Sequence, residues 1–401
     1  MKIVDIKTAV VEGNFDWTFV RVYTDEGITG IGESFLAPGL TSIIRDLKPL
    51  LIGEDPRNID RLFRKMQFHT AVVGSVYGIG NNAISGVETA LWDILGKSLN
   101  APVYRLLGGQ FRSRIRVYAD CHAGEALGSL GPVLTPRKTS WTTEPKEDEP
   151  IGPEDYACHA REMMARGFTA LKFDIPEVDL YPAAGEFNRC LSTRNLDRLL
   201  NLVCATREAV GRDFDLAFDL HWQFNVNDGL KFAHGCEPYN LLWLEDPIPP
   251  ENIDALAALT HATRTPICSG ENLSLRHGFR PLIEKQAVNI VSPDFQKAGG
   301  VLEGRRIADL ADTYYIAVAP HNISSPIGTI ASAHIAAAIP NFLALEFHAS
   351  EVPFWEDLAT GIQKPIIREG YIHLSEAPGL GIDLNEEVAR AYAKPGEPFF
   401  A

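Results

Sequence analysis

The sequence has no C-x-x-C pair; its six cysteines, at 121, 158, 190, 204, 236 and 268, are scattered. That argues against a disulfide framework or a thiolate zinc site and fits a reducing, cytoplasmic setting. There is no surplus of Lys and Arg. With 37 basic against 52 acidic side chains the net charge is -15, so little is left to neutralise nucleic-acid phosphates. No apolar run reaches the roughly 18 residues of a membrane-crossing helix, and the opening MKIVDIKTAV reads as a strand without a signal-peptide pattern. A glycine-rich phosphate fingerprint is also missing after every strand-like run, which weighs against a doubly wound nucleotide-binding sheet. Nucleic acid and membrane are therefore excluded as expected partners. An anionic small substrate stays open, because one bound divalent metal or one Lys reverses the sign of a pocket.

What is present is a rhythm. MKIVDIKTAVVEG, WTFVRVYTDEG and ITGIGES alternate β-branched and aromatic residues between Gly and Asp turn signals, which predicts an antiparallel meander. Over 42–97 the period becomes helical, with Ile84, Val87, Leu91 and Leu95 three or four residues apart. Residues 1–114 thus read as an α+β domain. From 115 onward eight short apolar runs recur, most separated by helical stretches: IRVYADC, FTALKFDI, FDLAFDL, NLLWLED, TPICSGE, AVNIVSPD, YIAVAPHN and FLALEFH. That alternation over 115–348 predicts an α/β fold built as a parallel barrel. The Pro-, Thr- and Glu-rich segment 125–153 interrupts it and reads either as a surface insertion or as a lid. Residues 349–401 read as a strand, turn and helix that pack back on the first domain.

The ends of the barrel runs carry the chemistry. Asp219, Glu245 and Glu271 close the third, fourth and fifth runs at two equal intervals of 26 residues. Strand ends at one face of a barrel converge, and three ionised carboxylates together need a cation. Oxygen donors alone point to Mg²⁺. The bland reading, a solvated acid at each loop start, weakens with three in succession. Asp294 and His321 close the sixth and seventh runs, and an Asp that orients an imidazole makes a general base. Lys172 and Asp174 share a face of the second run. Either they form a self-contained ion pair, or Lys172 neutralises a substrate carboxylate. Glu346 on the eighth run points inward as an acid or hydrogen-bonding group. His221, two residues beyond Asp219, stands either as an acid for a leaving hydroxyl or as a partner orienting a ligand.

These residues lie in AFDLHW, LWLEDPIPPEN, PICSGENL, IVSPDFQKAGGV and VAPHNISSPIG. In that order and spacing the chain resembles the enolase superfamily, in its mandelate racemase-like branch, over nearly its whole length. The resemblance implies a modified (β/α)7β barrel with an N-terminal α+β capping domain completed by the C-terminal segment. It implies Mg²⁺ on Asp219, Glu245 and Glu271 and a base dyad of Asp294 and His321. The implied step is removal of a proton α to a carboxylate. Racemases of this branch carry a second Lys where this chain has Asp174, which disfavours two opposed bases. The D-x-H of the third run is similar to that of galactonate- and gluconate-type acid-sugar dehydratases, where the matching His221 protonates the departing hydroxyl. A hydro-lyase acting on a sugar acid is the expectation, its cap loops near 14–17 and 71–81 bringing Phe15, Trp17 and Tyr77 to the substrate, with His122 and Asp174 also in contact. A homo-oligomer is implied, of an order nothing in the sequence sets. Two readings compete: a cycloisomerase or epimerase sharing the same metal and base, and a non-catalytic protein on the same scaffold.

Overall fold

The protein was analysed as a computed structural model that describes residues 1–71, 78–121, 141, 152–176 and 188–401. Tyr77, His122 and nearly all of 125–153 lie outside the described residues. Two compact units are present, one of 1–116, 271–280 and 293–401, the other of 117–270 and 281–292.

The first unit opens with strands β1 (Ile3–Glu12), β2 (Asp16–Thr24) and β3 (Thr29–Ser34) in an antiparallel sheet, with Phe19 opposite Glu33. Helices at Leu40–Leu51, Ile59–Thr70 and Ile79–Ser98 follow. The third of these is buried on nearly every side, which its mostly apolar and small residues permit. Its buried acids all have partners: Glu88 accepts the backbone N–H groups of Val301 and Leu302 at the start of helix Gly300–Asp312, and Asp93 pairs with Lys97. Strand β3 meets this helix backbone to backbone. A Cβ on Gly30 would lie 2.1 Å from the Ala90 carbonyl oxygen, and one on Gly32 would lie 2.2 Å from that of Gly86. Because strand side chains alternate, Glu33 turns to the face opposite those glycines.

The C-terminal segment returns to the same sheet. Phe399 bridges Ala9, Ala393 bridges Val11, Lys394 pairs with Asp16 at 2.6 Å, and Arg21 reaches Asp383 and Glu386. Short strands at Ala317–Val318 and Leu345–Phe347 belong to this unit as well.

The second unit is the parallel text. Strands β4 (Ile115–Cys121), β5 (Ala170–Asp174), β6 (Asp215–Asp219), β7 (Trp243–Glu245), β8 (Ile267–Ser269) and β9 (Ile290–Val291) pair in sequence order, every pair parallel. Helices such as Thr193–Val210, Val226–Cys236 and Ile253–Ala262 alternate with them, each started by a side-chain cap from Ser192, Asn225 or Asn252. The strands are short and buried on both faces, as expected when helices cover a parallel sheet. With the strands Ala317–Val318 and Leu345–Phe347 this is the α/β class that the eight apolar runs predict, a modified (β/α)7β barrel with an N-terminal α+β cap. Among the described residues no helix is long and apolar enough to cross a membrane.

Candidate active site

Sheet register lines up the acids of the second unit. Asp174 on β5 stands opposite Asp219 on β6, which stands opposite Glu245 on β7. Neighbouring strands lie about 4.8 Å apart, so three carboxylates in lateral register crowd one another. Lys172 lies among them with its Nζ 3.3 Å from Asp219, 3.2 Å from Glu245 and 3.8 Å from Asp120. Asp120 is a strand-end acid too, and the sequence reading passed over it although YADC carries the same signal. Trp243 donates its indole N–H to Glu245 at 2.9 Å and holds that carboxylate in place.

His221 arrives by a different route from the one its spacing suggests. Strand β6 ends at Asp219, and His221 and Trp222 adopt left-handed backbone with φ of 42° and 59°. Alternation therefore no longer governs its direction. The turn is held by the His221 backbone N–H, which donates to Asp219 Oδ1 at 2.9 Å. It still brings the imidazole to the acids, with Nε2 3.7 Å from Asp219 and Nδ1 3.8 Å from Asp174.

The first unit holds the other imidazole. His321 Nδ1 lies 2.8 Å from Asp294 Oδ2, while its Nε2 is 3.5 Å from Glu271 and 4.0 Å from Glu346. Asp294 is itself fixed, since its Oδ1 accepts from the Gln296 backbone and caps helix Phe295–Ala298. Burial pulls the imidazolium down, but the charges of Glu271 and Glu346 and the bond to Asp294 outweigh it and hold His321 at about 10. A cation held by Glu271 would offset that carboxylate's share of the charge and bring the ring closer to acting as a base near neutrality.

Of the cap residues, Phe15 packs on the His348 ring at 5.2 Å, and Asn14 donates to His348 Nδ1 and its carbonyl. Trp17 is buried, and its indole donates to the Ile323 carbonyl at 3.0 Å. Glu33 escaped the sequence reading. Its burial leaves no mark on a strand that otherwise looks like an edge between two turns.

The donor set fits a hard divalent cation. Lys172 brings one positive charge to Asp120, Asp219 and Glu245, which when ionised leaves two negative charges over in a buried site. Ligand atoms of Asp174, Asp219 and His221 also lie within 4.8 Å of one another.

Two family profiles cover most of the chain: "Mandelate racemase / muconate lactonizing enzyme, N-terminal domain" matches residues 6–108, and "Enolase C-terminal domain-like" matches 155–388. The chain belongs to the enolase superfamily. Within that superfamily it is 42% identical over 399 residues to a D-xylonate dehydratase of Haloferax volcanii, covering 100% of this chain and 90% of the relative. It is 30% identical to a D-galactonate dehydratase of Ralstonia nicotianae, covering 93% and 90%. A solved mandelate racemase/muconate lactonizing enzyme-like protein from Rubrobacter xylanophilus DSM 9941 aligns with TM-score 0.92 at 42% identity, covering 100% of this chain and 99% of that one. The enolase-superfamily chain thus stands with the acid-sugar dehydratases, which are hydro-lyases.

Proposed function

We propose that the protein is a Mg²⁺-dependent dehydratase that converts an aldonate-type sugar acid to its 2-keto-3-deoxy product. Asp219, Glu245 and Glu271 are the residues that would hold the metal, which when bound supplies positive charge for the carboxylate oxygens on which negative charge grows. His321 is the base: Asp294 engages Nδ1, so Nε2 carries the lone pair that takes the C2 proton. His221 is the acid, giving its proton to the 3-hydroxyl as the C3–O bond breaks and water leaves. The resulting enol tautomerises to the ketone. Lys172 holds the substrate carboxylate, and Glu346 and Asp174 accept from its hydroxyls.

The observation that carries this reading is the difference between the two imidazoles. His321 is hydrogen-bonded through Nδ1 to the buried Asp294, which supports its reading as the base, whereas His221 is partly exposed beside Asp219 and Asp174, which supports its reading as the acid. D-xylonate, the acid in the name of the 42% identical relative, is the first substrate to test.

The test is proton NMR of the enzyme with Mg²⁺ in D₂O against a panel of aldonic, aldaric and uronic acids. New 3-deoxy methylene signals from one acid support the proposal and name its substrate. Loss of the C2 proton signal without them favours an epimerase, and a cyclic product favours a cycloisomerase.

A further inference from the structure

Glu33 is a buried acid with no part in the chemistry just described, yet it is bound to the segment that carries the base. Its Oε1 accepts from the Ser325 backbone at 3.0 Å, and its Oε2 accepts from the Ser325 hydroxyl and from the Gly328 backbone at 2.9 Å. Ser325 caps helix Pro326–Ala338, four residues past His321. Burial pushes the Glu33 carboxyl up to about 7, while those three donors favour the carboxylate and Asp294 opposes it.

The whole segment after His321 is pinned in the same manner. The Asn322 backbone donates to Glu346 at 2.9 Å. Trp17 donates to the Ile323 carbonyl at 3.0 Å, and Trp355 donates to that of Ser324 at 3.1 Å. Gln296, two residues past Asp294, donates to the Gly328 carbonyl and accepts from the Ser324 hydroxyl. Each residue from 322 to 325 is thus held from outside its own loop, two of them by cap strands. A solvent-facing loop would leave these groups to water. Here the backbone next to the base has protein partners at each residue from 322 to 325, which favours a fixed geometry where a displacement of about 1 Å can cost on the order of a hundredfold in rate.

We infer that the capping domain, through Glu33 on β3 and Trp17 on β2, positions His321 for proton abstraction. Both are positioning residues that act through the 322–325 backbone. The inference rests on the reading of His321 as the base. It differs from a substrate-contacting role for the cap, which would appear in KM and in the choice of acid.

The test compares Glu33→Gln and Trp17→Phe with the Mg²⁺-loaded wild type. Glu33→Gln keeps an acceptor for the Ser325 backbone but loses one for the Ser325 hydroxyl and Gly328. Trp17→Phe removes the indole donor along with part of a buried ring system, and it guards against a Glu33 variant that fails to fold. We expect kcat to fall about tenfold or more with KM changed by less than about threefold. The downfield His321 Nδ1–H proton resonance should shift or broaden in both variants. Unchanged kcat, a loss confined to KM, or an unmoved resonance would overturn the inference. If no acid is turned over by the wild type yet the resonance moves, the positioning stands and the dehydratase proposal falls.

Discussion

Asp294 and His321 stand 2.8 Å apart, Oδ2 to Nδ1, in a buried pair. This bond leaves Nε2 as the atom that faces Glu271 and Glu346. An Asn in place of the Asp can offer either an oxygen or an N–H, so the tautomer and the charge support are both lost. Asp294→Asn should lower kcat by roughly 10²–10⁴-fold while thermal stability changes little. Steady-state kinetics beside a melting curve checks it, and near-normal kcat would remove the pair from the mechanism.

His221→Asn separates the two proton transfers. The C2 proton should still exchange with D₂O, because that step belongs to His321, while water loss slows by roughly 10²–10⁴-fold. Deuterium incorporation and product formation are followed in one NMR series. Intact dehydration would show that another group is the acid.

Mg²⁺ should stabilise the folded protein as well as support turnover. At about 100 times its Kd a ligand bound only to the native state adds about 2.7 kcal/mol. The Tm of chelator-treated protein should therefore rise on adding Mg²⁺, and Asp219→Asn should abolish the rise. A Tm indifferent to Mg²⁺ in the wild type would count against the metal site.

His334 sets a pH dependence away from the site. Its Nδ1 accepts from the Tyr104 backbone at 3.2 Å and its Nε2 donates to the Leu380 carbonyl at 3.1 Å, an arrangement only the neutral ring can make. Burial pulls its pKa down to about 4, against the opposing bond to Leu380. The folded value is depressed, so as pH falls from about 6.5 toward 4 the unfolded chain takes up this proton first. Stability is lost across that window, by on the order of 3 kcal/mol. Urea unfolding at pH 7 and pH 4.5 should show His334→Asn losing less than the wild type on acidification. Equal losses would refute the assignment.

Gly32→Ala tests the contact that aims Glu33. The new Cβ would meet the Gly86 carbonyl at 2.2 Å, backbone against backbone. Overpacking of this kind costs about 1–3 kcal/mol or more. The variant should melt lower, and unchanged stability would mean that β3 and its helix can separate without penalty.

Much of the fold was readable from periods alone. The eight apolar runs became strands, the first six paired parallel, because alternating β and α text with buried strands has few stable packings, and the change from period two to period 3.6 after residue 42 marked the cap helices. The strand-end positions of Asp219 and Glu245 were legible because each closes such a run, where alternation sets which way a side chain faces; Asp294 and His321 lie three residues beyond their strands, and the loops bring them together. His221 shows the limit: its placement near Asp219 was foreseen, but through strand alternation, whereas a left-handed turn brings it there.

Composition, spacing and the order of runs by themselves determined the class of fold, the acid-rich strand ends and the absence of charge for nucleic acid. These are local properties, written one residue at a time in side-chain size, polarity and period. Only tertiary structure decided that Lys172 sits among three acids, that Glu33 and Trp17 hold the residues after His321, and that His334 is a neutral buried ring. Each of those depends on partners 46 to 306 residues away in sequence, and a hydrogen bond across such a distance exists only once the core has packed and excluded the water that would otherwise take its place.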